Sequence, residues 1–229
     1  MVGGNPLVRG NPGVIRGVLW DLDGTLVDSA EYHWRSWLFA LRDTGFTLTR
    51  AQFTGTFGQR NDRILRAWLG PDAADDTIRQ VGDAKEVEYR RLMHAEGLEG
   101  LPGAQEWIDR LAARGWRQAI ASSAPRLNVE AVIDALGWHG KFDALVAAED
   151  VQRGKPDPEV FLVAAGRLGA APSACVVVED ASAGIEAAHA AGMRAIGLGP
   201  HTDAADVQVA ALTALPDGAF ERLLEGAAS

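Results

Sequence analysis

Four short apolar runs in this chain stop abruptly at polar or acidic residues, and a helical pattern follows each. Val14 to Trp20 gives way to Asp21-Leu22-Asp23-Gly24-Thr25, and Gln118 to Ala121 ends at Ser122-Ser123. Leu145 to Ala148 ends at Glu149-Asp150, and Ala174 to Val178 ends at Glu179-Asp180. Runs of this length, rich in β-formers, read as buried strands. Repeated strand-helix alternation implies a parallel sheet with right-handed crossovers and helices on both faces. Such sheets bind ligands beyond the carboxyl ends of their strands. The pattern predicts an α/β, Rossmann-like fold with these polar residues gathered at one end.

Asp21 and Asp23 stand two apart in what begins as an extended segment, where residues i and i+2 point the same way. Two carboxylates held together repel unless a cation, a proton or a ligand compensates them. Mg²⁺ suits such a pair, because it is hard, prefers oxygen and is usually held by one or two carboxylates together with substrate phosphate and water. A solvated Asx-type turn accounts equally well for an isolated Asp-x-Asp-Gly. The acids Glu179-Asp180, at a predicted helix start, also complement the helix dipole by ~0.3–1 kcal/mol. That structural role does not explain why both abut a buried strand.

From Ser29 to Gly100 the pattern is helical. Tyr32, Trp34, Trp37, Leu38 and Leu41 fit one amphipathic helix, Ile64, Leu65, Trp68 and Leu69 a second, and Asp75 to Ala95 a long third. This block reads as an insertion in the α/β core. The expected organisation is a core domain of residues 14–29 and 101–229 with an all-helical cap domain of residues 30–100. Residues 1–13, with four glycines and two Asn-Pro pairs, are expected to form a disordered leader.

Composition narrows the partners. The net charge of −9 argues against a phosphate-backbone partner, so no nucleic acid is expected. No apolar run approaches the ~20 residues of a membrane-spanning helix, so no membrane partner is expected. Cys175 is the only cysteine, so no intrachain disulfide can form. A cytoplasmic monomer is expected.

Asp21-Leu22-Asp23-Gly24-Thr25-Leu26-Val27-Asp28-Ser29 after a hydrophobic strand resembles the first motif of the haloacid dehalogenase superfamily of phosphohydrolases. The likeness continues in order along the chain. Ser122, after Ala119-Ile120-Ala121, is similar to the second motif. Lys155, in Arg153-Gly154-Lys155-Pro156, resembles the third, and it is one of only three lysines against nineteen arginines. Val176-Val177-Val178-Glu179-Asp180-Ala181-Ser182-Ala183-Gly184 resembles the fourth. The chain looks like the subgroup with a helical cap after the first motif, which includes β-phosphoglucomutases and small-molecule phosphatases.

The resemblance implies roles. Asp21 would be the nucleophile and Asp23 the general acid and base. Ser122 and Lys155 would hold phosphoryl oxygens. Asp21, the Asp23 backbone carbonyl, Glu179 and Asp180 would hold Mg²⁺. The substrate would be a small phosphorylated metabolite, a sugar phosphate in particular. Thr25, His33, Gly58, Arg60 and Ser123 are the candidate substrate contacts, with His33 near the hinge and Gly58 and Arg60 in a cap loop that overhangs the site.

Three departures weaken a mutase reading. Gly24-Thr25 stands where mutases resemble Gly-Val, Asn61 where their cap-loop arginine falls, and Pro125 where they carry a lysine. A phosphatase is therefore the leading expectation, with β-phosphoglucomutase-type transfer as the alternative. A phosphonatase needs a cap lysine for a Schiff base, and Lys85 falls too late to match. Haloacid dehalogenation needs no Mg²⁺ site. A non-catalytic binding module usually loses catalytic residues, and none of the motif residues is missing here.

Overall fold

The structure, a computed structural model, describes residues 14–225. The expected leader, residues 1–13, lies outside the described residues. Six parallel strands form one sheet: β1 (Gly17–Trp20), β2 (Arg117–Ala121), β3 (Ala144–Val146), β4 (Cys175–Glu179), β5 (Arg194–Leu198) and β6 (Val207–Val209). Their order is β3-β2-β1-β4-β5-β6. After β2 the chain steps outward to β3, then crosses back over β1 to β4, so the direction of winding reverses at β1. The carboxyl end of β1 is therefore the switch point, where α/β sheets open a crevice for ligands. The first residue beyond it is Asp21.

Register explains why β1 reads as a continuous apolar run. Leu19 lies opposite Ala119 and Val177, and Trp20 opposite Ile120 and Val178, so each β1 residue is flanked on both sides and covered on both faces. Helices α5 (Ala104–Ala113), α6 (Arg126–Leu136) and α9 (Ala219–Glu225) supply Ile108, Leu111, Val132 and Phe220 to the face that holds Val18, Trp20 and Val176. Helices α7 (Glu159–Leu168) and α8 (Ser182–Ala190) supply Phe161, Leu168 and Ile185 to the face that holds Leu19 and Val177. Full burial of each large apolar side chain is worth roughly 1.5–3 kcal/mol. The buried Trp20 indole also needs an acceptor. It donates to Gln118 Oε1 at 2.9 Å, and Gln118 in turn donates to the Ile108 carbonyl at 2.8 Å.

The inserted cap holds four helices: α1 (Ala30–Leu41), α2 (Arg50–Thr56), α3 (Asn61–Leu69) and α4 (Asp75–Glu96). They close on a separate core in which Trp37 meets Trp68 edge to face at 5.1 Å, with Phe53, Leu65 and Val81 around them. Helix α2 was not expected from hydrophobic spacing. It is started by a capping box: Thr49 Oγ1 accepts from the Gln52 amide, and Gln52 Oε1 accepts from the Thr49 amide.

One strand end differs from the expectation. β3 stops at Val146 and the chain turns through a short helical turn, Ala148–Asp150. Glu149 then accepts from the Arg126 amide at 2.9 Å, and Asp150 pairs with Arg126 and Arg167. These two acids anchor the start of α6 and the end of α7, and they stay out of the switch-point crevice.

Candidate active site

Asp21 continues the sheet by one residue, its amide donating to the Val178 carbonyl at 3.0 Å, and this fixes its side chain at the crevice floor. The carboxylate is 5% exposed. Lys155 Nζ reaches it from the loop before α7, donating to Asp21 Oδ1 at 2.5 Å and to Glu179 Oε1 at 2.6 Å. Glu179 Oε2 accepts from the Ala181 amide at 2.8 Å, and Thr25 Oγ1 donates to Asp180 Oδ1 at 3.2 Å. Two glycines make this approach possible. A Cβ on Gly24, which has φ +89°, would lie 2.1 Å from Asp180 Oδ2, and one on Gly184 would lie 2.0 Å from Glu179.

One oxygen each from Asp21, Glu179 and Asp180 lies within 4.8 Å of the others. Burial pushes the Asp21 carboxyl well above the usual range; Lys155 opposes this, and the neighbouring acids add to it. Burial, then Glu179, pushes Asp180 up to about 7 against Lys155 and Thr25. Lys155 is raised: burial disfavours its charge, but Asp21 and Glu179 outweigh that. One ammonium thus faces three carboxylates, and the cluster is short of positive charge. The donors are all hard oxygens, so a divalent cation of the Mg²⁺ type fits them and relieves the repulsion.

Asp23 turns its carboxylate away from this cluster. Its Oδ1 accepts from Ser29 Oγ at 2.6 Å, lies 3.0 Å from His33 Nε2, and receives a longer contact from Tyr89 Oη at 3.5 Å. Burial works against its charge, but His33, Ser29 and Lys85 outweigh it and hold the carboxyl down at about 2. The His33 ring stacks on Tyr89 at 4.2 Å, and its Nδ1 lies 2.8 Å from Lys85 Nζ. Lys85 also donates to Glu86 at 2.9 Å. A polar relay therefore runs from the core loop into α4 of the cap.

A small pocket of about 40 Å³ brings together Asp21, Asp23, His33, Gly58, Ser122 and Ser123. Ser122 lies at the end of β2, buried, with its Oγ accepting from the Ala124 amide at 3.0 Å. Lys155, Glu179 and Asp180 lie outside this lining, behind Asp21. Thr25 also lies outside it and holds Asp180 instead. Arg60 stands in an adjoining outer cleft, where its Nη1 donates to the carbonyls of Ala148 at 2.9 Å and Val151 at 3.0 Å. Sequence reasoning missed Lys85, Glu86 and Tyr89 as parts of the site, and Asn61 entered it only as the residue in place of a mutase arginine. The scarcity of lysine was the one available signal for Lys85.

Fold and site together define an α/β enzyme with a carboxylate centre beneath a helical cap. A model of the haloacid dehalogenase-like hydrolase family matches residues 15–192. The chain is 33% identical over 184 residues to fructose-1-phosphate phosphatase YqaB of Escherichia coli (strain K12), covering 79% of this chain and 94% of that protein. It is 30% identical over 191 residues to the β-phosphoglucomutase of Bacillus subtilis (strain 168), covering 81% and 84%. It is also 34% identical over 193 residues to Protein SUPPRESSOR OF QUENCHING 1, chloroplastic, of Arabidopsis thaliana, a match over 80% of this chain but only 18% of that longer protein. A crystal structure of β-phosphoglucomutase from Clostridium difficile superposes with a TM-score of 0.87 at 24% identity, over 94% of this chain and 99% of that one. This protein belongs to the haloacid dehalogenase-like hydrolases.

Proposed function

We propose that this enzyme is a Mg²⁺-dependent phosphomonoesterase of small sugar phosphates that works through an aspartyl phosphate on Asp21. The observation that carries the reading is the division of labour between the two first-loop carboxylates. Asp21 lies against Lys155 at the switch point, whereas Asp23 is held apart by Ser29 and His33. This separation supports Asp21 as the attacking group and Asp23 as the group that handles protons.

In the first step an Asp21 oxygen attacks phosphorus in line, the ester P–O bond breaks, and Asp23 gives its proton to the leaving oxygen. In the second step Asp23 takes a proton from water, the water oxygen bonds to phosphorus, and the P–O bond to Asp21 breaks, releasing inorganic phosphate. Asp23, held at about 2, is already the base of the second step. Its acid role is served when the incoming phosphoryl charge raises its affinity for a proton. Ser122 and Lys155 orient the phosphoryl oxygens. Held by Asp21, the Asp23 backbone carbonyl and Asp180, with Glu179 beside them, Mg²⁺ would offset phosphoryl charge.

A sugar phosphate agrees with the names of relatives such as the fructose-1-phosphate phosphatase. Hydrolysis is favoured over mutase-type transfer because Asn61, an amide, lines the pocket where a mutase-like chain would carry a cap-loop arginine to grip phosphate in either orientation. Two assays test the reading. Phosphate release from p-nitrophenyl phosphate and from hexose phosphates with Mg²⁺ is expected. A coupled glucose-6-phosphate dehydrogenase assay on β-glucose 1-phosphate with glucose 1,6-bisphosphate should show little conversion; conversion much faster than phosphate release would reverse the choice.

A further inference from the structure

The polar relay that begins at Asp23 ends at a carboxylate the reaction above does not use, Glu86 on α4. Glu86 is 6% exposed. Its Oε1 accepts from Asn61 Nδ2 at 2.5 Å and from Lys85 Nζ at 2.9 Å, and its Oε2 accepts from Asn128 Nδ2 on core helix α6. The group is ionised: burial opposes its charge, but Lys85, His33 and the Asn61 amide outweigh burial and hold it below the usual carboxylate range. Glu86 lines the active-site pocket and also the outer cleft, and Asn61, Ser123 and Pro125 are likewise shared by the two. A substrate with its phosphoryl group against Asp21 and a skeleton reaching outward passes this boundary.

The charges along that path are arranged against a second anion. The pocket lining contains no arginine, and its cap ammonium, Lys85, is paired with Glu86. In the outer cleft Arg60 is engaged by Asp62 and two core carbonyls, Arg66 by Asp75, and Arg79 by Asp76, while Asp83 and Glu149 add further negative charge. A second phosphate here would lose its hydration and meet a buried carboxylate, among arginines already engaged by carboxylates and carbonyls. Hydroxyls fare differently. They donate to Glu86 and accept from Asn61 and Lys85.

We propose that Glu86 is a specificity-determining residue that excludes a second phosphate from the distal end of the substrate, restricting the enzyme to phosphomonoesters with an uncharged, hydroxyl-bearing skeleton. This rests on the phosphatase reading of Asp21 and its neighbours. The test compares one sugar in two charge states. Fructose 1-phosphate and fructose 1,6-bisphosphate are titrated calorimetrically, with Mg²⁺, into the full chain carrying Asp21→Asn, which binds without turnover, and both are assayed as substrates of the wild type.

The monophosphate is expected to bind at least about tenfold more tightly, since like-charge juxtaposition penalises the wrong ligand. Adding Glu86→Gln should bring the ratio of the two Kd values towards one. Because that change also removes a partner of Asn128 and Lys85, a second variant, Asn61→Arg, leaves Glu86 in place and adds a cation beside it, and it too should improve bisphosphate binding selectively. Equal binding of the two esters to the parent, or a ratio moved by neither variant, overturns the inference while monophosphate hydrolysis by the wild type leaves the functional reading standing. If neither ester binds and neither is hydrolysed, both fail.

Discussion

His33 Nε2 lies 3.0 Å from Asp23 Oδ1, and the far side of the ring decides which of them holds the hydrogen. His33 Nδ1 is 2.8 Å from Lys85 Nζ, an ammonium that can only donate. Nδ1 therefore accepts, Nε2 carries the hydrogen, and His33 donates to the Asp23 carboxylate. A cap lysine thus sets the tautomer of a hinge histidine, which in turn donates to a core aspartate. This chain of contacts joins the cap to the carboxylate proposed to handle protons.

This relationship predicts a pH-dependent stability. The Asp23 carboxyl is held at about 2 against an ordinary 3.8. Its folded-state value is lowered, so the stabilisation is fully present above about pH 4 and is lost as pH falls towards about 2. The difference is worth roughly 2 kcal/mol. His33→Ala should remove much of it at neutral pH. In urea unfolding, the gap between wild type and variant is expected to be full above about pH 4 and to shrink between about pH 4 and about pH 2. A gap of constant size across that range would count against the His33 contact as its cause.

Asp21→Asn should abolish turnover and leave the fold intact. The amide is a poor nucleophile, while Lys155 keeps its bond to Glu179 at 2.6 Å and so is not left buried without a partner. A loss of at least ~10³-fold in kcat is expected for a variant lacking the proposed nucleophile, with an unchanged circular dichroism spectrum. Residual activity above a few per cent of wild type would assign the nucleophile elsewhere.

Much of this site was legible because its core half is local. Each β-strand that feeds the crevice is an apolar run, and Asp21, Ser122 and Glu179 announce themselves where those runs stop. The same signal misled at Glu149 and Asp150, since the chain leaves the sheet at Val146 and a helical turn intervenes. The cap half was legible only at His33 and Gly58, because Lys85, Glu86 and Tyr89 lie on one long helix and acquire their meaning only when α4 packs against α1 and Asn128. Helix α2 had a readable start in Thr49 and Gln52, but its seven residues bury only Phe53, too little for hydrophobic periodicity to register.

Metal dependence is expected from the shortage of positive charge around Asp21. With one ammonium for three carboxylates, and Asp180 pushed up to about 7, removal of a divalent ion leaves repulsion that Lys155 alone does not cancel. EDTA should remove activity and added Mg²⁺ restore it. Ca²⁺ should inhibit, because its longer bonds and looser coordination misplace the phosphoryl group. Full activity in excess EDTA would exclude a metal role for Glu179 and Asp180.

The last prediction concerns Arg60, whose guanidinium joins the cap to the core. Its Nη1 donates to the carbonyls of Ala148 and Val151, and its aliphatic stem lies over Gly154, where a Cβ would come within 2.7 Å of it. Gly154 precedes Lys155, so the cap loop rests on the segment that carries the ammonium bonded to Asp21. A nearby second arginine, Arg63, donates to the Lys155 carbonyl at 3.3 Å. Hydrogen bonds from a charged donor contribute ~1.5–3 kcal/mol each, so losing the pair should favour an opened cap. Arg60→Ala is expected to lower kcat/KM for a sugar phosphate by about tenfold or more, to speed amide hydrogen exchange through residues 148–154, and to affect p-nitrophenyl phosphate less, since that ester makes fewer cap contacts. Arg60→Lys should recover only part of the loss, because one compact ammonium cannot reproduce the fork of a planar guanidinium. Unchanged exchange together with unchanged sugar-phosphate turnover in Arg60→Ala would show that these bonds do not hold the cap.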